Sequence, residues 1–581
     1  MQDHRNLILA VLLSVLLLFG WDAAMQYFYP QPENAQPEAG KIDTPSERAA
    51  QHSRTGGLVD PADLAREKVD VASALASGER VRIDSPRIAG SINLRGALID
   101  DIVLKDYAET TAKNSDPVRI FSPRGTPAQQ FAQFGWTGSG VAVPDATTVW
   151  QPDGPVLQQG RPVTLSHDNG QGQEYRIRLS IDDNYMLTAE QSVINRGAAP
   201  VIVRPFGLVN RTSRTASEDL FNAHSGPIGV FGDAANYDVD YSTLDEDGRI
   251  SPVGRPSWLG FTDIYWLSAL VPQSGTQPDV TFRPLGNEIY RADMIYEPVT
   301  VPARAAVTTT SRLYAGAKES ALLDSYEDAG ISKFGLAIYW GWFRWFEKPF
   351  LWLLKTIYGL VGNFGVAIII LTFLVRLVMF PIAQKQFASM AAMKAIQPKM
   401  KAIQDKYKDD RQKQQQEIMA LYKREKVNPV AGCLPMLLQI PIFFALYKVL
   451  ILAIEMRHRE FLWIKDLSAP DPATILNLFG LLPFQPTGFL AIGVLALLLG
   501  FTMWLTFKLN PNTGDPVQQQ IFSFMPWILM FVMAPFQAGL LLYWVTSNIL
   551  TVAQQKYLYS RHPQLRAQAE KEQAEKAAAQ A

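Results

Sequence analysis

The chain has 581 residues, a formal net charge of −1 and 48% hydrophobic residues. The near-neutral total says little about partners, the local charge distribution says more, and no sequence-specific nucleic-acid partner is expected. The single cysteine, Cys433, excludes an internal disulfide, and six scattered histidines give little support to a metal site, so no cofactor is expected. The average hides two halves. Residues from about 30 to 330 have the mixed composition of a soluble domain, whereas about 360 to 560 hold most of the long apolar runs. A membrane protein carrying one large water-exposed domain is expected.

At the amino terminus Arg5 precedes an apolar run from Leu7 to Gly20, followed by Trp21, Tyr27 and Tyr29. A cleavable signal peptide fits the short run, but "WDAAMQ" is a poor cleavage site. The aromatic belt favours an uncleaved anchor over residues 1–29, and either reading exports the chain beyond Trp21. Residues 30–65, rich in Pro, Ala, Glu and Gln without periodicity, read as a disordered tether.

From Val81 to Lys318, runs such as "VRIDSPRIAGSINLRGALIDDIVLKDY" and "QEYRIRLSIDDNYMLTAEQSVINR" alternate with Gly, Asn and Asp turns. They predict an exported all-β sandwich over residues 66–325. It holds no GxSxG, HExxH or phosphate loop, so a structural role outweighs catalysis there. Residues 331–360 then predict a helix lying in the membrane surface, with aromatics on one side and Arg344, Glu347, Lys348 and Lys355 on the other.

Five apolar stretches come next, at 364–382, 431–453, 488–507, 521–535 and 538–556, making six expected spans with the anchor. An even count with the amino terminus inside places both termini in the cytoplasm, with the loop 384–428 and the basic tail 558–581. That loop carries eleven Lys/Arg against five Asp/Glu, as the positive-inside rule requires. Within it Met393, Ile396, Met400, Ile403 and Tyr407, then Ile418, Leu421 and Tyr422, recur at helical spacing. They predict a helical hairpin, read either as a docking surface or as a solvated basic loop.

Arg376 is the most telling residue, a lone cation in the 19-residue run Phe364–Ile382. A charge inside a span costs roughly 2.5 kcal/mol or more, so it faces a protein interior or a wet cavity unless it snorkels to the interface. Depth argues against snorkelling alone. Gln439 and Asn548 each lie roughly 12 Å from the cytoplasmic ends of their spans. Thr372 lies one turn from Arg376, and Trp544 one turn from Asn548. Polar groups from three helices so converge on the inner half, predicting a hydrophilic pocket open to the cytoplasm. The spans hold no mid-membrane carboxylate, which an ion-coupled transporter needs. Met525, Met530 and Met533 in the short fifth span suit either adaptable apolar binding or ordinary packing.

The strings "NPVAGCLPMLLQIPIFFALYKVL", "FLWIKDLSAPDP", "DPVQQQIFSFMP" and "GLLLYWVTSN", with Ile368 to Asn428, closely resemble the YidC membrane-protein insertases of Gram-negative inner membranes. Mitochondrial Oxa and chloroplast Albino proteins are more distant relatives. The resemblance covers essentially the whole chain, including the exported sandwich with "SWLGFTDIYWLSAL". It implies a five-helix core around a hydrophilic groove, with the family's arginine at Arg376 and its threonine at Thr372. Groove positions map to Gln439, Tyr543, Trp544 and Asn548, and an apolar slide to Met525, Met530 and Phe443. The implied partners are nascent membrane proteins, the Sec translocon, the lipid bilayer, and the ribosome and signal recognition particle pathway, met by the hairpin and tail. One departure is the long stretch "ILNLFGLLPFQPTGFLAIG" before the fourth span.

The expectation is a non-enzymatic insertase and chaperone, acting alone or with the Sec translocon through a positively charged groove. A passive transporter or lipid-handling protein using the same pocket is the alternative. A third is an exported carbohydrate-binding or hydrolytic sandwich on an anchor.

Overall fold

The computed structural model describes residues 69–213, 224–341, 344–408, 410–425, 434–482, 484, 486, 490–509 and 516–561. The expected anchor and tether, and the tail beyond Arg561, lie outside the described residues. The chain divides into two units, one ending at Tyr339 and one beginning at Trp340.

Among the described residues the first unit is built on β-strands, in sheets of ten and nine, with the short helices α1 (Val71–Ala76), α2 (Tyr241–Asp247) and α3 (Ser320–Asp328). In one sheet Val201–Thr212 runs antiparallel between Gln130–Gly138 and Ile289–Ile295. In the other, Ala305–Ala317 lies between Met186–Asn195 and Trp266–Val271. Gln173–Ile181 buries every second residue and turns Arg176 and Arg178 outward, the alternation of a strand with one solvated face. Trp266–Val271 is instead buried throughout. Gln191 joins the two sheets, its Nε2 donating to the Gly135 carbonyl at 2.7 Å and the Phe206 carbonyl at 3.3 Å. Close strand approach dictates Gly260, where a Cβ would lie 1.9 Å from the Ser268 carbonyl oxygen.

The second unit is helical, comprising α4 (Arg344–Val361), α5 (Phe364–Val378), α6 (Phe380–Lys406), α7 (Arg411–Arg424), α8 (Leu434–Leu452), α9 (Val494–Leu509), α10 (Pro516–Met533) and α11 (Ala538–Arg561). Among the described residues, no helix is long and apolar enough to cross a membrane. The helices on the five expected core spans have 15, 19, 16, 18 and 24 residues. The apolar run at Arg376 is divided because Met379 caps both α5 and α6, with a proline in the first turn of α6. Pro381 lacks the N–H that a helix start leaves unpaired in any case.

Two elements differ from expectation. The helix expected from 488 begins at Val494, because Asp471 supplies its cap from a distance. Its Oδ2 accepts from the Leu495 amide at 2.8 Å, and its Oδ1 accepts from the Ala473 amide and the Trp463 indole, each at 3.0 Å. In α4 the charged side does not all face outward. Glu347 is 0% exposed and continues the buried stripe of Leu351, Leu354 and Ile357, while Trp345 and Trp352 are 73% and 67% exposed. The charge acting on Glu347 is Lys448 of α8, whose Nζ also donates to the Trp340 carbonyl at 3.1 Å. Burial pushes the Glu347 carboxyl up to about 8, against the opposing pull of Lys448.

Helices α6 and α7 form a hairpin. Ile396, Met400 and Leu421 are buried, Tyr422 Oη reaches Met400 Sδ at 3.4 Å, and Lys399 pairs with Glu425 at 2.9 Å.

Candidate functional site

Helix α5 is fixed at its start by Asn363, whose side chain accepts from the Val366 amide at 3.1 Å and donates to the Glu460 carbonyl at 3.1 Å. Gly365 lies under the Phe461 ring, with no room for a Cβ. This end being pinned, the helix brings Arg376 into its last turn. A cation there meets the negative end of the helix dipole.

The guanidinium turns to α11, where Nη2 donates to Ser547 Oγ at 2.6 Å. Gln554, further along α11, reaches the Arg376 carbonyl through its side-chain amide at 3.5 Å. Among the described residues no carboxylate pairs with Arg376, and the titratable side chain acting on it is the Tyr543 phenol. The cation is oriented by a neutral hydroxyl and keeps its net charge.

Thr372 is buried one turn before Arg376 and donates to the Ile368 carbonyl at 2.6 Å. Tyr543 is also buried. Trp544 and Phe443 meet as rings, centroids 5.0 Å apart, and Phe443 also lies against Tyr447 at 6.3 Å. Asn548 leads away from Arg376's partner, its Nδ2 donating to Thr502 Oγ1 on α9 at 3.2 Å. Met530 is buried against Gly500, where α9 and α10 approach closely, while Met525 is half-buried. The side chain of Gln439 lies outside the described residues.

Ser547 is the residue the sequence reasoning passed over. It stands at almost the same depth as Asn548, so the depth argument applies equally to it.

In the β unit a cavity of about 570 Å³ is lined by α1, Phe261, Trp266, Gln130, Ser268 and the Arg211–Asp263 pair. Arg211 Nη2 contacts both Asp263 oxygens, at 2.8 and 2.9 Å. Lys318 is buried beside Asp263, its Nζ donating to Thr262 Oγ1 at 3.0 Å. Burial pushes the Lys318 ammonium down to about 7, against the opposing pull of Asp263. Among the described residues no cluster of His, Cys, Asp and Glu could hold a metal ion.

Two family models match the chain, the YidC periplasmic domain over residues 80–353 and the 60Kd inner membrane protein over residues 356–565. Similar curated proteins include the membrane protein insertase YidC of Zymomonas mobilis, 44% identical over 97% of this chain and 96% of that one. The Beijerinckia indica protein of the same name is also 44% identical, over 96% of each chain. A solved active YidC insertase with its first transmembrane domain resolved aligns with a TM-score of 0.33 and 18% identity, covering 83% of this chain and 95% of that one.

Proposed function

The chain belongs to the YidC family of membrane-protein insertases, and from that membership we propose that it inserts and folds inner-membrane proteins through a groove built around Arg376. The observation that carries the groove is the arginine itself, a cation whose described partner is a neutral serine hydroxyl. An acidic or polar segment of a nascent chain is the complementary ligand. Hydrating such a segment inside the membrane lowers the barrier to its crossing, and the apolar segments behind it leave sideways into lipid. The apolar side chains turned outward on α5 and α10, among them Phe373, Leu377, Phe524, Trp527 and Ile528, support a lipid-facing surface.

In this reading the chain crosses the inner membrane six times with both termini in the cytoplasm and the β unit in the periplasm. The α6–α7 hairpin and the tail receive substrates from the ribosome and the signal recognition particle pathway, and the chain also works with the Sec translocon. Trp544, Phe443 and Met525 form the apolar path beside the arginine. The excess of Lys/Arg in 384–428 supports the orientation.

The test is insertion of a small inner-membrane protein into liposomes holding this protein as the sole addition. Insertion well above empty liposomes is expected, reduced by Arg376→Ala and retained in Arg376→Lys if charge is what matters. Insertion no greater than in empty liposomes, with the protein folded, would overturn the reading.

A further inference from the structure

Ser547 has a position that a merely packed serine does not need. It is 5% exposed, and its Oγ accepts the Arg376 guanidinium from a residue 171 positions earlier in the chain. Its own backbone is secured, since Thr551 Oγ1 donates to the Ser547 carbonyl at 2.7 Å. The next residue, Asn548, is bonded to α9. The hydroxyl is therefore a fixed acceptor that defines a direction for a long, rotamer-rich side chain.

The chemistry of that acceptor matters as much as its place. A guanidinium has five N–H donors, and one hydroxyl occupies few of them while adding no charge. A carboxylate at the same point would take two donors in a bidentate pair and cancel the cation.

We propose that Ser547 is the positioning residue for Arg376, and that its neutrality keeps the guanidinium available to an acidic segment of the substrate. This rests on the reading of Arg376 as the group that receives substrate, and the experiment separates the two.

The full chain is reconstituted in liposomes and offered one single-span substrate in two forms. One has Asp and Glu in its translocated tail, and the other has Asn and Gln in their place. The readout is the acidic-to-neutral insertion ratio. Arg376→Ala is expected to lower the ratio about tenfold, the size of one lost charge-assisted hydrogen bond. Ser547→Asp should fall to the same level, because the built-in carboxylate takes the guanidinium. Ser547→Ala keeps the cation but removes the acceptor that aims it, so the ratio should fall about threefold, short of the roughly tenfold of a whole lost charge-assisted bond, and Ser547→Thr, which keeps the hydroxyl, should restore it. If Arg376→Ala leaves the ratio unchanged, the groove reading fails. If Arg376→Ala lowers it but Ser547→Ala and Ser547→Asp both match the parent, the groove reading stands and the role of Ser547 is overturned. Should Ser547→Asp insert neither substrate and so prove misfolded, the Ala and Thr pair decides.

Discussion

Asn548 offers a clean test of whether a polar residue in the helical unit serves the scaffold or the substrate. Its amide donates to Thr502 Oγ1 at 3.2 Å, and it is 8% exposed. Replacing it with Leu removes one interhelical hydrogen bond, which within a bilayer averages about 0.6 kcal/mol and reaches about 1.7 kcal/mol. Thr502 is not orphaned by the change, because its hydroxyl still donates to the Leu498 carbonyl at 2.7 Å. The expected loss for Asn548→Leu is therefore about 0.5–1.5 kcal/mol. Thr502→Val acts from the other side and leaves the amide buried without its partner, for about 1–3 kcal/mol. The double variant should recover about 1 kcal/mol of the summed losses, since each single change already removes the shared bond. Reversible unfolding of the full chain in bicelles measures the cycle, and liposome insertion is followed in parallel. Additive losses within about 0.3 kcal/mol would refute the pairing. A drop in insertion as deep as that of Arg376→Ala, with stability intact, would place Asn548 in the substrate path.

Two further outcomes come from buried charge. Lys318 holds its proton less tightly in the folded β unit, about 7 against 10.5 for an ordinary lysine. Between those values the unfolded chain binds more protons, so stability should rise with pH across that window, by at most about 1.4 kcal/mol per pH unit. Below it both states are protonated and the full cost of burial remains. Lys318→Met should flatten the curve and raise the Tm at pH 7, and a Tm that falls from pH 7 to 9 in the parent chain would contradict the assignment. In the helical unit, burial holds the Glu347 carboxyl up at about 8 against 4.5 for an ordinary glutamate, so between those values the folded chain binds more protons and stability should fall as pH rises across that window, by at most about 1.4 kcal/mol per pH unit. Glu347→Gln should flatten that fall, and thermal unfolding that shows the helical unit gaining stability from pH 5 to 8 in the parent chain would contradict the assignment.

The β unit was legible because a period of two survives in strands such as Gln173–Ile181, where one face meets water. Its buried charges were not. Arg211 stands on a strand of one sheet and Asp263, 52 residues on, directly follows a strand of the other, and only the packing of the two sheets brings them together. The inward turn of Glu347 could have been read, since it leads the series Leu351, Leu354 and Ile357 at helical spacing. Counting charges on α4 hid that register. The start of α9 could not have been read, because its cap comes from Asp471, 24 residues before Leu495. Arg376 was legible from its rarity, yet its partner was not. Depth cannot distinguish Ser547 from Asn548, and the choice depends on the rotation of α11 between two neighbours that its own sequence does not encode.

Ser547 and Asn548 are consecutive, so their side chains leave α11 about 100° apart. One is bonded to α5 and the other to α9. The helix is keyed like a shaft in a slot, unable to turn toward one neighbour without leaving the other. Its length is thereby constrained by angle and not merely by reach. Loss of a single residue between Ala538 and Val545 would swing Asn548 to the bearing of Ser547 and present the arginine with an amide. Insertions that a loop absorbs without consequence are closed to this segment, whatever its composition.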